Sequence, residues 1–513
     1  MDTLLFPCSL LLFFQCALSS KNPISSTWVG RSVYFVVTDR FASSNPSLPP
    51  CIDSKEWCGG NFDGLISRLP YIKDMGFDAV WITPPVKQVG WRDDYNGTGY
   101  HGYWAGEFTE VDEHLGGEEG LRRLADELHR MDMKLMVDVV ANHVGPVHGA
   151  EDVGKFKGVL GREDGGQYNK LGMVEGESLD DYIKGPPGPP NAMTDAGDGC
   201  WPYYDFEEGV CDRTVVEGGW FGDLGDLNQT DVQVREYLLD WISWMQETFD
   251  VDGFRLDTAL YIPRDFLDSF QDSAGVYIVG EVVTYNFTLH ASYQQHLTGV
   301  LNFPMTERLG EVFNGSMLDF GDLYSESRKA AYSDRSLLGN FVDNHDGERF
   351  LRKVGFDVGL LKNALALTML EEGIPIVYYG TENEGVAGNE DNRVGMWKYG
   401  YDGGTEVGEM MREMNAMRRK YGLGFGGEHA ETEMEVLGVE DNWFVFSRGG
   451  LVAFINNVGR GKGGGKMCFG NVEWGEGLKV VYGEGGVEEG EGGVGVCVVV
   501  EDKGDPVVAA RWW

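Results

Sequence analysis

The chain is expected to be an α/β protein: a (β/α)8 TIM-type barrel with a small irregular domain inserted after its third strand and an antiparallel β-sandwich domain at its C-terminal end. Three observations point there. Eight short runs rich in Val, Ile and aromatic residues recur between about residues 33 and 382. Helical patterns fill the intervals, and after about residue 404 the pattern shifts to closely spaced alternating strands. Strand–helix alternation counted to eight is the signature of a closed parallel barrel. A doubly wound open sheet is the competing arrangement, but no glycine-rich phosphate loop follows the first run.

Taken in order, residues 3–18 (TLLFPCSLLLFFQCAL) form an apolar run followed by SSK. Ala17 and Ser19 offer a cleavage site, so residues 1–20 read as a secretory signal, although Asp2 stands where a basic residue is usual. The barrel is assigned to 21–143 and 223–404. Its eight strand runs are SVYFVVTDRF, DAVWITP, LMVDVVANH, VDGFRLD, VYIVGE, GVLNFP, LGNFVDNHD and IPIVYYGTE. Leu121, Leu124, Ala125 and Leu128 mark one intervening helix; Val234, Leu238, Trp241, Met245 and Phe249 mark another. Residues 144–222 break the pattern, with GPPGPP at 185–190, and form the inserted domain. Residues 405–513 carry WFVFS, LVAFINN, LKVVY and VCVVV, the strands of the C-terminal domain. The run GEGGVEEGEGGVG reads as a solvated hairpin loop.

Eight cysteines occur, and six remain once Cys8 and Cys16 leave with the signal. Cys51 lies close to Cys58 and Cys200 to Cys211, which leaves Cys468 and Cys497 for each other. An even count in a secreted chain favours disulfides over zinc, and no CxxC occurs. Asn96, Asn228, Asn286 and Asn314 begin glycosylation sequons. The 82 acidic and 42 basic residues give a net charge of −40. That balance argues against nucleic acid or an anionic membrane as partner and is compatible with a neutral sugar polymer. No stretch beyond the N-terminal run is apolar enough to cross a membrane.

In such a barrel, reactive groups lie at the C-terminal ends of the strands. Those ends carry Asp138 with Asn142 and His143, then Arg255 and Asp257, then Glu281, then His345 and Asp346. Cleaving a glycosidic bond needs one carboxylate at the sugar face and one protonated carboxyl at the leaving oxygen. Arg255, two residues before Asp257 on the same strand, could hold that aspartate ionised. Two nearby aspartates would raise the pKa of Glu281, as an acid catalyst requires. Any one of these residues alone would more often be a turn, a cap or a structural ion pair. The order and spacing of the set carry the argument.

At this point the chain resembles the α-amylases of the starch-degrading glycoside hydrolase clan, and within it the fungal type. The motifs are DVVANH, GFRLDTAL, GEVV and FVDNHD, with GYHGYW at 99–104 and CGGNFDGL at 58–65, and the match spans nearly the whole mature chain. The resemblance implies that Asp257 is the nucleophile, Glu281 the acid and then the base, and Asp346 the third carboxylate, bonded to sugar hydroxyls. It implies that Tyr103 stacks under the sugar before the cut with Trp104 nearby, and that His143, His345, Arg255 and Arg393 bind substrate or order the carboxylates. A structural calcium ion is implied between barrel and insertion, with Asn142, Asp226 and the Tyr261 carbonyl as ligands. Glu217 or Glu208 would complete it, and Glu217 is taken here.

Departures from the family pattern accompany these matches. Leu260 and Tyr261 replace a Lys-His pair that touches sugar beyond the cut. The segment GNEDNR is one residue short, so a substrate-binding aspartate there is either Asp391 or replaced by Glu390. The function expected is a secreted, monomeric enzyme that cuts internal α-1,4 bonds of starch, glycogen or related α-glucans. An exo-acting, maltogenic or transglycosylating relative, or an inactive glucan binder, stands as the alternative.

Overall fold

The computed structural model describes residues 23–45, 47, 51, 55–93, 95–153, 162, 165–207, 209–315, 319–440, 442–460, 465–469, 478–489, 496–500 and 504–511; the expected signal, residues 1–20, lies outside these. Each of the eight expected runs contributes one barrel strand. They are β1 Val33–Val36, β2 Ala79–Ile82, β3 Lys134–Val139, β4 Gly253–Leu256, β5 Tyr277–Gly280, β6 Gly299–Val300, β7 Gly339–Asn340 and β8 Ile374–Tyr378. All neighbouring pairs are parallel and follow chain order around the ring, with β8 beside β1. The ring closes where Leu301, just past β6, bridges to Gly339 of β7.

The strands are buried along almost their whole length. That is why they read as continuous apolar runs rather than alternating ones: the barrel interior takes one face and the helices the other. The helix Gly117–Arg130 buries Leu121, Leu124, Ala125 and Leu128. Val232–Phe249 buries Val234, Leu238, Trp241, Met245 and Phe249; Asp231 caps its start by accepting from the N–H groups of Gln233 and Val234. The helix Val358–Leu370 is buried on every side, since the barrel covers one face and the C-terminal domain the other. Among the described residues no helix is long and apolar enough to cross a membrane.

Register sets the height of the site. Asp138 of β3 lies opposite Arg255 of β4, and Leu256 opposite Gly280 of β5. One step on, the N–H of Asp257 bonds the Val139 carbonyl (2.9 Å) and the N–H of Glu281 bonds the Leu256 carbonyl (2.8 Å). Asp257 and Glu281 therefore leave their strands at one level. The insertion departs beyond β3 through a short antiparallel pair, His143–Pro146 with Leu224–Asp226, and is stapled by Cys200–Cys211. Disulfides also join Cys51 to Cys58 and Cys468 to Cys497.

The C-terminal region is a sandwich of two antiparallel sheets. Five strands (Glu435–Glu440, Trp443–Arg448, Leu451–Asn456, Val507–Arg511 and Leu478–Tyr482) face three (Gly465–Phe469, Val496–Val500 and Gly485–Glu489). Val445, Val452, Phe454, Met467, Val498 and Val507 fill the space between. Here the expectation of a solvated loop needs correction. Part of the glycine-rich run is the strand Gly485–Glu489, with Val487 opposite Val498. Glycine serves close pairing at its start, because a Cβ on Gly485 would come within 2.3 Å of the Val499 carbonyl oxygen.

Phe444 ties the sandwich to the barrel. Its ring is fully buried and stacks on Tyr324 (4.5 Å) and Phe320 (5.4 Å) of the helix Phe320–Lys329. Phe444→Ala is expected to cost about 3–5 kcal/mol, read as a lower denaturation midpoint; an unchanged midpoint would mean that the two units do not support each other.

Candidate active site

At the C-terminal mouth of the barrel lies a cleft of about 390 Å³ whose walls include Asp257, Glu281 and Asp346. Its centre is organised by Arg255, whose side chain is only 1 % exposed. Its Nη1 donates to Asp138 Oδ1 at 2.9 Å and to Asp257 Oδ1 at 2.7 Å, while Nη2 pairs with Glu281 Oε1 at 2.7 Å. The second oxygens are also held: Thr258 Oγ1 donates to Asp257 Oδ2 (3.1 Å) and the Thr258 N–H to Glu281 Oε2 (2.8 Å). Thr258 adopts the left-handed conformation (φ +47°), which turns its N–H toward the glutamate.

The carboxylates differ in their tendency to hold a proton. Burial pushes Glu281 up to about 8, with Asp257 and Asp346 adding repulsion and Arg255 opposing. Burial likewise raises Asp138 to about 7 against the pull of Arg255. Asp346 is about half exposed and behaves oppositely. What burial it has works against ionisation, but His345, Arg393 and Arg255 outweigh that and hold it below the ordinary range. Burial lowers His345 to about 3 and depresses His101 and His143 as well. These rings are neutral at physiological pH and can donate or accept a hydrogen bond.

Asp346 is aimed by its own turn, in which Asn344 Oδ1 accepts from the N–H groups of Asp346 and Gly347 (both 3.0 Å). Arg393 binds Asp346 Oδ1 through Nη2 (2.9 Å) and the His345 carbonyl through Nε (2.8 Å). Tyr103 donates to Asp138 Oδ2 (2.8 Å), and its ring stacks on His345 at 5.1 Å. Tyr103, His143, His345 and Arg393 line the cleft.

Trp104 does not. Its ring packs against Tyr95 (4.8 Å) and His101 (5.0 Å), and its backbone N–H donates to Gln88 Oε1 (2.7 Å). Leu260 is fully buried, whereas Tyr261 lines the cleft with its hydroxyl paired to that of Tyr204 (2.7 Å). Asp391 bonds the N–H of Arg393 and Glu390 points toward Arg352; neither lines the cleft. Residues absent from the sequence-based set also form its walls. His101 accepts from the N–H of Tyr103 (3.0 Å), and its signal was present in GYHGYW. Trp201, Phe221 and Met193 come from the insertion, where no motif marks them.

Asn142 and Asp226 meet at the neck of the insertion: Asn142 Nδ2 donates to Asp226 Oδ1 (3.0 Å), and Asn169 Nδ2 to Oδ2 (2.6 Å). Burial raises the pKa of Asp226 well above normal against the pull of the Asn169 and Asn142 amides. Asn142 Oδ1 is buried without a hydrogen-bond partner. A buried carboxylate and an orphaned amide oxygen fit a hard cation. Glu217 is not brought to them. It pairs with Arg213 (3.2 Å), and its other charged neighbours are Arg264 and Asp265. Glu208 lies outside the described residues. Among the described residues no cluster of three or more His, Cys, Asp and Glu could hold a metal.

A closed barrel with an acid-type glutamate, two aspartates and neutral histidines around one mouth is the layout of a glycoside hydrolase. Comparison with known proteins makes the class definite. Residues 35–419 match the family model for the α-amylase catalytic domain, and the chain belongs to that family; it is a glycoside hydrolase of the α-amylase class. It is 31% identical over 453 residues to an α-amylase of Saccharomycopsis fibuligera, covering 86% of this chain and 84% of that one. It is 32% identical over 490 residues to α-amylase 1 of Schwanniomyces occidentalis, covering 92% and 88%. The solved α-amylase of Malbranchea cinnamomea superposes with a TM-score of 0.78 at 31% identity, covering 95% and 97%.

Arg255→Met would leave three buried carboxyl groups without their shared cation. A loss of about 3–5 kcal/mol in stability is expected at pH 7.5. The loss should shrink at pH 5, because protonation relieves carboxylates whose folded-state pKa is raised. Denaturation curves at both pH values check this; an equal loss at the two would show that charge is not the cause.

Proposed function

We propose that the protein is a secreted, retaining, endo-acting α-amylase that hydrolyses internal α-1,4-glucosidic bonds of starch, glycogen and related α-glucans. The observation that carries the reading is the sharing of Arg255 by Asp257 and Glu281, which keeps the two carboxyl groups close. A close pair suits direct attack on the sugar, whereas an inverting pair stands further apart to admit water. In the first step Glu281, protonated at neutral pH because it is buried, gives its proton to the leaving glycosidic oxygen as Asp257 attacks C1. In the second, Glu281 takes a proton from water, which attacks C1 from the face that the first glucan left as the bond from C1 to the Asp257 oxygen breaks. Two inversions retain the α configuration. Asp346, held ionised, accepts hydrogen bonds from sugar hydroxyls, and Tyr103 supports the ring.

Calcium is proposed as a structural ion at the neck of the insertion, held by Asn142, Asp226 and the Tyr261 carbonyl. It would supply positive charge to a buried carboxylate that lacks any and fix the insertion against the barrel. Glu217 is left out because Arg213 occupies it. Secretion is supported by the N-terminal apolar run and by the three disulfides among the described residues.

Soluble starch followed by chromatography and NMR should show a rapid fall in chain length with new ends in the α configuration. Glucose or maltose released while long chains persist would mean exo action, and β-configured ends would remove the nucleophile. Asp257→Asn should lower turnover by at least ~10³-fold with the circular dichroism spectrum unchanged. The alkaline limb of kcat/KM should follow loss of the Glu281 proton and vanish in the residual activity of Glu281→Gln. Thorough chelation should lower Tm, because an ion bound only by the folded state stabilises it. An unmoved transition would exclude calcium.

A further inference from the structure

Asp346 is paired with Arg393, but the pair stands in the open: the aspartate side chain is 48% exposed and the arginine 23%. An ion pair so wet fixes a side chain only weakly. The aim of Asp346 therefore depends on what fixes Arg393. The residues on either side of Arg393 are held from below. The Asn392 carbonyl accepts from Arg349 Nη2 (3.1 Å) and from the Tyr378 hydroxyl (3.2 Å), and the Val394 carbonyl accepts from the Tyr379 hydroxyl (2.8 Å). Asn392 Nδ2 donates to the Asn344 carbonyl (2.9 Å), which ties this loop to the turn that carries Asp346.

Arg349 roots the loop in the barrel. It is buried and is not part of the cleft wall. Its Nη1 donates to the Tyr379 carbonyl (2.9 Å), and the Tyr379 N–H bonds the Phe35 carbonyl of β1 (2.8 Å). The guanidinium lies over the Tyr378 ring, 4.0 Å from its centre. One planar fork thus bridges two main-chain carbonyls, which the single ammonium of a lysine cannot do in the same way. Among the described residues no carboxylate pairs with Arg349. Asp343 feels its charge but accepts from the Phe350 N–H and from Thr381 Oγ1 (3.0 Å). Burying a charge without an ion partner is costly, so the fold gains little from Arg349 beyond the clamp it makes.

We infer that Arg349 is a positioning residue for the hydrolysis: by clamping the Asn392 carbonyl to the Tyr379 carbonyl it sets the loop that carries Arg393, and through Arg393 it aims the Asp346 carboxylate at the reacting sugar. The inference rests on the reading of Asp346 as the carboxylate that binds sugar hydroxyls. Arg349 touches no substrate, and its influence passes through Arg393. Hydrogen bonds to the sugar hydroxyls strengthen as the ring distorts, so lost aim belongs in kcat rather than in KM. Removing Arg349 also matters little once Arg393 has gone, because both changes break the same chain of contacts.

The test measures kcat and KM on maltoheptaose for Arg349→Met, Arg393→Met and the double variant, with Arg349→Lys as the variant that keeps the charge but not the fork. Arg349→Met should lower kcat ~100-fold and Arg349→Lys ~10-fold, with KM changed less than about threefold. The double variant should be no more than about twofold slower than Arg393→Met alone. Wild-type kcat in Arg349→Lys would overturn the inference. So would a double-variant loss equal to the product of the single losses, which marks a general weakening of the fold. Should Arg349→Met fail to fold, Arg349→Lys takes its place in the same comparison. Asp346→Asn, run beside them, separates the two readings. Unchanged turnover in it would remove the role of Asp346 and the inference with it, whereas collapsed turnover there beside unaffected Arg349 variants overturns the inference alone.

Discussion

Three buried carboxyl groups on three adjacent strands share one guanidinium. Asp138, Asp257 and Glu281 all contact Arg255, and one positive charge cannot balance three negative ones. The imbalance resolves through protons: burial raises Asp138 and Glu281 while Arg255 moderates the rise. A carboxyl that stays protonated near neutral pH thus follows from the packing of the barrel mouth. Strand register makes the sharing possible, because Asp138 and Arg255 face each other and Asp257 and Glu281 exit one step later.

Much of this was legible in the chain. The strand runs were readable because both of their faces are buried, and the helices because their apolar stripes recur at helical spacing. The three carboxylates were readable because a parallel barrel gathers its strand ends at one mouth. What escaped has physical causes. Tyr103 and Trp104 are adjacent at a bend just before the strand Ala105–Val111, and Trp104 turns its ring onto Tyr95 and His101 while Tyr103 reaches the cleft. Glu217 sits one helical turn from Arg213, and a partner so near in sequence takes the carboxylate first. The glycine-rich run hid a strand because Val487 alone supplies its inward face.

Trp201 illustrates a different limit. Its role depends on where the insertion settles, and that follows from contacts between segments distant in the chain: the neck pairing of His143–Pro146 with Leu224–Asp226, and Pro202 against Thr284 and Tyr285. No local pattern encodes such packing. Barrel strands supply the clustered carboxyl groups, and the insertion supplies part of the cleft wall through Met193, Trp201 and Phe221.

The closing seam of the barrel has its own consequence. β6 and β7 are each two residues long and meet through one bridge. Side chains do the rest, with Asn302 Nδ2 donating to Asn340 Oδ1 (2.9 Å) and Asn340 Nδ2 to the Glu372 carbonyl (2.8 Å). Asp257 and Glu281 follow strands laced on both sides by main-chain ladders, whereas Asp346 follows β7. The third carboxylate thereby follows a strand at the shortest main-chain pairing of the ring. The placement of Asp346 thus rests on side-chain contacts, its own Asn344 turn and the Arg393 pair, where that of Asp257 and Glu281 rests on main-chain ladders.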